Sequence, residues 1–343
     1  MTERGRLIAD FLAAAGWGDA ARRPLAGDAS FRRYERLTRD EASAVLMDAP
    51  PPKENVRAFH GVAQRLLALG LSAPRPLEVD AAAGLMLLED FGDRTFTRVL
   101  AEGAAEAPLY RLATDVLIAL HRRWRPDAAV VGANPGAGLP PYDDARLTDE
   151  ATLLPDWTLP ALRGKPTPAD LRESYVRAWL EVFPIARAVP DCLVLRDYHV
   201  DNLMLLEGRG DVAACGLLDF QDAVLGPVSY DVVSLLEDAR RDVSPAVVAE
   251  MLERYLAAFP GLDRQAFIAS YAVLGAQRAA KIIGIFTRLS RRDGKSQYLQ
   301  HIPRVWRLLE AGLANPALSP VKDWFDREVP PPERVMPPAA DQR

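Results

Sequence analysis

Cysteine is nearly absent from this sequence: Cys192 and Cys215 are the only two in 343 residues. One pair cannot staple a small secreted scaffold, and no Cys or His spacing suits structural zinc. Lysine is also scarce, with Lys53, Lys165, Lys281, Lys295 and Lys322 set among abundant arginine. The net charge is −5 and positive charge is dispersed rather than striped, which argues against a nucleic-acid surface. No run of about 18 apolar residues occurs, so no transmembrane helix is expected. The G-x-x-x-x-G-K-[ST] loop is missing, which excludes a Walker-type nucleotide site. The opening MTERGRLIADFLAAAGWGD has an apolar part broken by Asp10 and followed by Asp19, so it reads as an amphipathic helix and not as a signal peptide. These absences place the chain in the cytoplasm.

What is present is ordinary globular material, 49% hydrophobic and 26% charged, enough for a large core. Residues 3–15 carry Leu7, Ile8, Phe11 and Leu12 on one helical face. LAGDASFRRYERL gives a turn and then an alternating segment, with Phe31 and Arg33 pointing one way and Arg32 and Tyr34 the other. SAVLMD (43–48) reads as a strand stopped by prolines 50–52, 53–69 as a helix, and PLEVD and GLMLLED as strands around AAAG. The spacing then predicts helices at 108–123, 170–189 (disturbed at Pro184), 230–240, 245–258, 263–290 and 296–314. The Gly- and Pro-rich stretch 131–168 reads as a long loop, and the proline-rich end from Pro316 as a loosely held tail. The expected domains are 1–90, 91–315 with a hinge near 89–92, and a tail at 316–343.

Chemistry enters at VLRDYHVDNLML, where Asp197 and Asn202 stand five apart inside an apolar run. An unpaired carboxylate in such a setting costs several kcal/mol, so these side chains need a partner. AACGLLDFQD places Asp219 at the end of another apolar run, with LEGRGD as the turn between LMLL and AACGLL. A hairpin would bring Asp219 back beside Asp197 and Asn202. Three oxygen-bearing side chains gathered there would suit Mg²⁺, which is held by a few carboxylates together with substrate phosphates.

D-x-x-x-x-N followed by D-F resembles the catalytic loop and metal-binding aspartate of protein-kinase-like phosphotransferases. LRDYHVDN is similar to the HGDLHPGN motif of aminoglycoside phosphotransferase-like small-molecule kinases. GDASFRRY, LMDAPP, LLEDFGD, RDYHVDNLM, LLDFQDAVLGPVSYD and QRAAKIIGIFTRL together resemble one subgroup, and the matches run in order from about residue 25 to residue 300. That subgroup comprises the anomeric kinases of bacterial cell-wall recycling, which phosphorylate N-acetylmuramate and N-acetylglucosamine at C1. The resemblance implies an α+β, two-lobed protein-kinase-like fold with a small antiparallel-sheet lobe and a larger helical lobe. It also implies ATP as phosphate donor, Mg²⁺, and a sugar acceptor for peptidoglycan recycling.

The resemblance assigns Asp197 to the acceptor hydroxyl as catalytic group, and Asn202 and Asp219 to metal. Gly27, Asp28 and Ser30 belong to the loop over the phosphates, and Glu89 and Phe91 to the hinge at the adenine edge. Asp231 supports the catalytic loop, while Glu150, Trp157, Arg196 and His199 are acceptor-side candidates; His199 reads equally as a loop brace. Two positions depart from the pattern: Leu195 replaces a histidine, and Met47 stands near the usual phosphate-binding lysine. Arg32, Arg33 and Lys53 are the candidate replacements for that lysine. Gln277, Arg278 and Lys281 read as a solvated helix face. Two alternatives stay open: a kinase for an aminoglycoside, choline or homoserine, and a nucleotide-binding pseudokinase scaffold. Oligomeric state is not legible.

Overall fold

The computed structural model describes residues 2–25, 32–52, 54–125 and 138–339. By its internal contacts the chain falls into two units, Met1–Gly138 with Val200–Ala223, and Leu139–His199 with Val224–Arg343.

The first unit is built on alternating strands. β1 (Ala21–Pro24), β2 (Arg33–Arg39), β3 (Ala42–Asp48), β4 (Pro76–Asp80) and β5 (Leu85–Glu89) form an antiparallel sheet in the order β1-β2-β3-β5-β4. Leu37, Ala44, Leu46, Leu85 and Leu87 share one face and pack against Ile8 and Leu12 of helix α1 (Glu3–Ala14). Burying each of these leucines stabilises the unit by roughly 1.5–3 kcal/mol. Arg4 of α1 adds an edge contact, its Nε donating to Asp48 Oδ1 at 2.9 Å. Between β4 and β5, Gly84 has φ +67°, and a Cβ there would lie 2.2 Å from Ala49 O. Only glycine fits that turn.

Helix α2 (Val56–Ala68) is capped by Asn55, which accepts the Arg57 N–H at 2.9 Å, and it buries Val56, Phe59, Val62, Ala63 and Leu66. The same unit contains helices Phe96–Ala101 and Glu106–Arg123, and the expected hairpin, in which Leu203–Leu205 pairs antiparallel with Cys215–Leu217. β1 has no apolar alternation, since all four of its residues are exposed, and so it was not legible in the sequence.

The second unit is mainly helical around one short antiparallel pair, Asp191–Val194 with Val224–Pro227. Its longest element, Arg264–Asp293, is capped by Asp263 at one end and by Gly294 (φ +69°) at the other. It passes so close to Leu153 that a Cβ on Gly284 would sit 2.3 Å from the Leu153 carbonyl carbon.

Four expectations are corrected. The stretch read as a loop to residue 168 is helical at Asp144–Ala151 and Leu159–Arg163, with a wide turn at Leu154–Thr158 between them. The expected tail holds a helix, Ser319–Glu328, whose Trp324 and Phe325 are buried, and Trp324 Nε1 donates to Ser174 Oγ at 2.9 Å. Pro184 lies within an unbroken helix, Ala169–Ala186. The division near 90 does not match the contact units, because helices Phe96–Ala101 and Glu106–Arg123 pack on the 200–223 segment and group with the sheet.

Candidate active site

In the first unit, Asn202 ends a short turn and opens one hairpin strand, while Asp219 follows the other strand. The Leu218 N–H donates to the Asn202 carbonyl at 3.0 Å and holds both at the same end of the hairpin. Asp219 has φ +57°, a left-handed conformation that a side chain other than glycine adopts at some strain. The Gln221 amide donates to Asp219 Oδ1 at 2.9 Å and to Asp222 Oδ2 at 3.0 Å.

A cavity of about 260 Å³ opens beside these two residues, with Val45, Leu88, Met204 and Leu218 supplying apolar wall and Asn202, Asp219 and Arg32 a polar end. Apolar walls with a few convergent polar groups are the usual composition of a ligand site. One amide and one carboxylate oxygen at that end form a hard donor set that fits Mg²⁺. No cluster of three or more His, Cys, Asp or Glu side chains able to hold a metal occurs among the described residues, so an ion here would draw its remaining oxygens from phosphate and water.

The hinge segment is pinned from two sides. Arg36 lies 2.7 Å from Asp90 Oδ2 and 2.9 Å from Asp93 Oδ2, and donates to the Gly92 carbonyl at 2.9 Å. Its hydrogen bond to Asp93 holds that carboxyl below the usual carboxylate range. Arg209, from the hairpin turn, pairs with Glu89 and lies over the Phe91 ring at 5.2 Å. The Glu89 N–H is already donated to Arg75 O at 2.9 Å, so the adenine-edge contact expected of residue 89 cannot use that donor. Arg36 was missed from sequence. Its signal was the same-face run Arg32, Tyr34, Arg36 facing the acids of LLEDFGD.

Of the other nucleotide-side candidates, Arg33 is exposed. Gly27, Asp28, Ser30 and Lys53 lie outside the described residues.

In the second unit, strand Asp191–Val194 leads into the loop that carries Asp197. Asp231, at the start of helix Tyr230–Leu236, accepts the Leu195 N–H at 2.6 Å and the Arg196 N–H at 2.9 Å. The Ser234 hydroxyl donates to the Arg196 carbonyl at 3.2 Å, and Arg196 has φ +71°. Burial pushes the Asp231 carboxyl up to about 7, with the two backbone N–H groups opposing the shift. Asp197 follows, half-buried, its N–H donated to Leu195 O at 2.9 Å. Leu195 itself is buried, and its backbone carries the contact to Asp231.

Behind this loop lies a buried charged cluster. Glu150 pairs through Oε1 with Arg196 and with Lys281 Nζ (3.0 Å), and through Oε2 with the Tyr142 hydroxyl and Gln277 Nε2 (3.4 Å). Burial pushes the Glu150 carboxyl up, but Lys281 and Arg196 outweigh it and hold it at about 2. Both oxygens of Glu150 thus face protein partners. Gln277, Arg278 and Lys281 are buried, not solvated: the long helix is covered on that face, and Glu150 compensates the lysine. A lone lysine inside the apolar run AAKIIGIF was the available signal.

His199 is buried, with Nε2 3.4 Å from Arg240 Nη1. Trp157 is half-buried in the wide turn, beside Asp156, whose two oxygens are taken by Arg172 at 2.7 and 3.0 Å.

Comparison with known proteins agrees with this layout. Residues 21–268 match the model of the phosphotransferase enzyme family. The N-acetylmuramate/N-acetylglucosamine kinase of Caulobacter vibrioides is 41% identical, across 96% of this chain and 98% of its own length. The kinase of the same name from Pseudomonas aeruginosa is 38% identical, across 90% of this chain and 89% of its own. Among solved structures, wild-type aminoglycoside 2'-phosphotransferase-IIIa in complex with GDP superposes with a TM-score of 0.61 at 16% identity, covering 92% of this chain and 99% of that one. That likeness places the α+β architecture among the protein-kinase-like folds. By the extent of the family match and by full-length identity to these relatives, the chain belongs to the phosphotransferase enzyme family.

Proposed function

We propose that this protein is an ATP-dependent sugar kinase that phosphorylates the anomeric hydroxyl of N-acetylmuramate, N-acetylglucosamine or both, and so supplies sugar 1-phosphates for peptidoglycan recycling. The observation that carries this reading is the 41% identity to an N-acetylmuramate/N-acetylglucosamine kinase along 96% of the chain.

Asp197 orients the attacking hydroxyl and accepts its proton, a contribution of roughly 10²–10⁴-fold in such enzymes. Asp231 supports it from behind by fixing the backbone of Leu195 and Arg196. Asn202 and Asp219 are the residues that would hold Mg²⁺, which neutralises charge on the β- and γ-phosphates when bound. Val45, Leu88 and Met204 enclose the nucleoside.

The charges near the acceptor loop favour the amino sugars over a polycationic drug. Such a drug calls for unpaired acids, whereas Glu150 is neutralised by Arg196 and Lys281, and Asp156 by Arg172. Trp157 remains a candidate for stacking on the sugar face. A pure scaffold would not need the aspartates and the asparagine of the two motifs.

The test is ADP release with Mg²⁺-ATP over a panel of sugars and small alcohols, followed by NMR of the product to locate the new ester. Turnover of N-acetylmuramate or N-acetylglucosamine with phosphate at C1 is expected. Turnover of another alcohol with neither amino sugar reacting would overturn the assignment.

A further inference from the structure

Phosphoryl transfer needs fixed positive charge on the transferring group beyond the metal. β3 (Ala42–Asp48), which crosses the middle of the sheet, contains no lysine or arginine. Among the described residues two cationic side chains line the cavity beside Asn202 and Asp219: Arg32 and Arg36. Arg36 is committed to Asp90, Asp93 and the Gly92 carbonyl.

Arg32 is placed differently. Its side chain is only 10% exposed, with Nη2 3.6 Å from Asp219 Oδ1 and Nε 3.7 Å from Glu54 Oε2. These are ion-pair separations, longer than hydrogen bonds. A guanidinium held at that range, between a carboxylate assigned to metal and one just ahead of α2, is close enough to serve the phosphates without being locked to either acid. The sheet register explains why it points there. Tyr34 pairs with Met47 and Arg36 with Val45, and in an antiparallel pair opposed residues share a face. By the two-residue period of a strand Arg32 belongs to that same face, whereas Arg33 belongs to the opposite one.

We infer that Arg32 is the phosphate-binding cation of this kinase and that Glu54 anchors it, the positive charge having moved from the central strand β3 to the approach of β2. The inference rests on the kinase reading above. Arginine suits the role because its planar fork matches phosphate oxygens.

The test compares Arg32→Ala, Arg32→Lys, Glu54→Gln and Lys53→Ala with the wild type, each measured for sugar kinetics and for calorimetric binding of ATP and of adenosine. Arg32→Ala is expected to lower kcat/KM for ATP by about 10²–10³-fold, the usual effect of removing one transition-state donor, with KM for the sugar unchanged. ATP affinity falls at least about tenfold while adenosine affinity, which has no phosphate to read, stays the same. Arg32→Lys recovers part of the loss, Glu54→Gln shows a smaller loss of the same kind, and Lys53→Ala behaves as wild type. Equal loss of ATP and adenosine binding would make Arg32 merely structural and overturn the inference, as would a phosphate-specific loss in Lys53→Ala with Arg32→Ala intact. Failure of the wild type to phosphorylate any sugar would instead sink the functional reading, and the ATP-against-adenosine comparison would still decide the role of Arg32.

Discussion

The guanidinium of Arg196 closes a buried ion pair with Glu150, 46 residues earlier in the chain, from a left-handed backbone conformation that arginine rarely adopts. The residue that follows is Asp197. Strain of about 1–3 kcal/mol at such a position persists only where the surroundings over-determine it. Here Asp231 takes the Arg196 N–H, Ser234 its carbonyl and Glu150 its side chain. The loop conformation is therefore set by three contacts from three separate segments.

Asp197→Asn keeps the shape of the side chain and removes its basicity. Turnover is expected to fall by about 10²–10⁴-fold with ATP binding unchanged. Steady-state kinetics beside calorimetry of ATP binding checks this, and unchanged turnover would refute the role.

Asp219→Asn tests the metal side. Asparagine tolerates the left-handed conformation at this position, so the backbone is preserved while one charge is lost. The Mg²⁺ concentration that half-saturates ADP binding should rise more than about tenfold, and ADP affinity measured in chelator should not fall. A titration of Mg²⁺ at fixed ADP gives both quantities.

Glu150 is held at about 2, well below its ordinary 4.5, because Lys281 and Arg196 outweigh burial. A depressed carboxyl contributes stability that is complete above about pH 4.5 and lost as pH falls through about 2. The difference corresponds to about 3 kcal/mol. Glu150→Gln should abolish this acid dependence and, by leaving two buried cations without their carboxylate, lower stability at neutral pH by about 3–5 kcal/mol. Chemical denaturation at a series of pH values measures both effects.

Asp231 shifts the other way, pushed up to about 7 by burial. Its folded pKa lies above the unfolded 3.8, so the group's contribution to stability declines as pH rises between those values and is constant outside them. Below about 7 the carboxyl takes a proton, and one of the two backbone N–H groups meets a hydroxyl. Activity should therefore fall on the acid side with an apparent pKa near 7. In Asp231→Asn that limb disappears and kcat is lower at every pH. A wild-type acid limb that survives in the variant would show that another group titrates.

Much of this molecule could be read from its chain. The sheet strands from β2 onward, most helices and the hairpin rest on residues close in sequence, where the period of two or 3.6 records which side is buried. The motifs around Asp197, Asn202 and Asp219 were legible because their spacing is local, with one turn between the two metal-side residues. Where the signal was not local, it failed. Lys281 and Gln277 look like polar positions on a solvated face, and nothing within their own helix says that Glu150 and Tyr142 cover them. The tail composition suggests a loose end, yet Trp324 and Phe325 bury themselves against helix Ala169–Ala186.

The amino-acid order thus determined the elements, the hairpin and the catalytic motifs, since backbone preference and periodicity act over a few residues. Tertiary structure alone decided which charges are compensated: Arg196 and Lys281 by Glu150, Arg36 by Asp90 and Asp93, and Arg32 by its place between Glu54 and Asp219. The reason is that an ion pair is a matter of distance and burial, and chain separation does not fix distance until the intervening elements are packed.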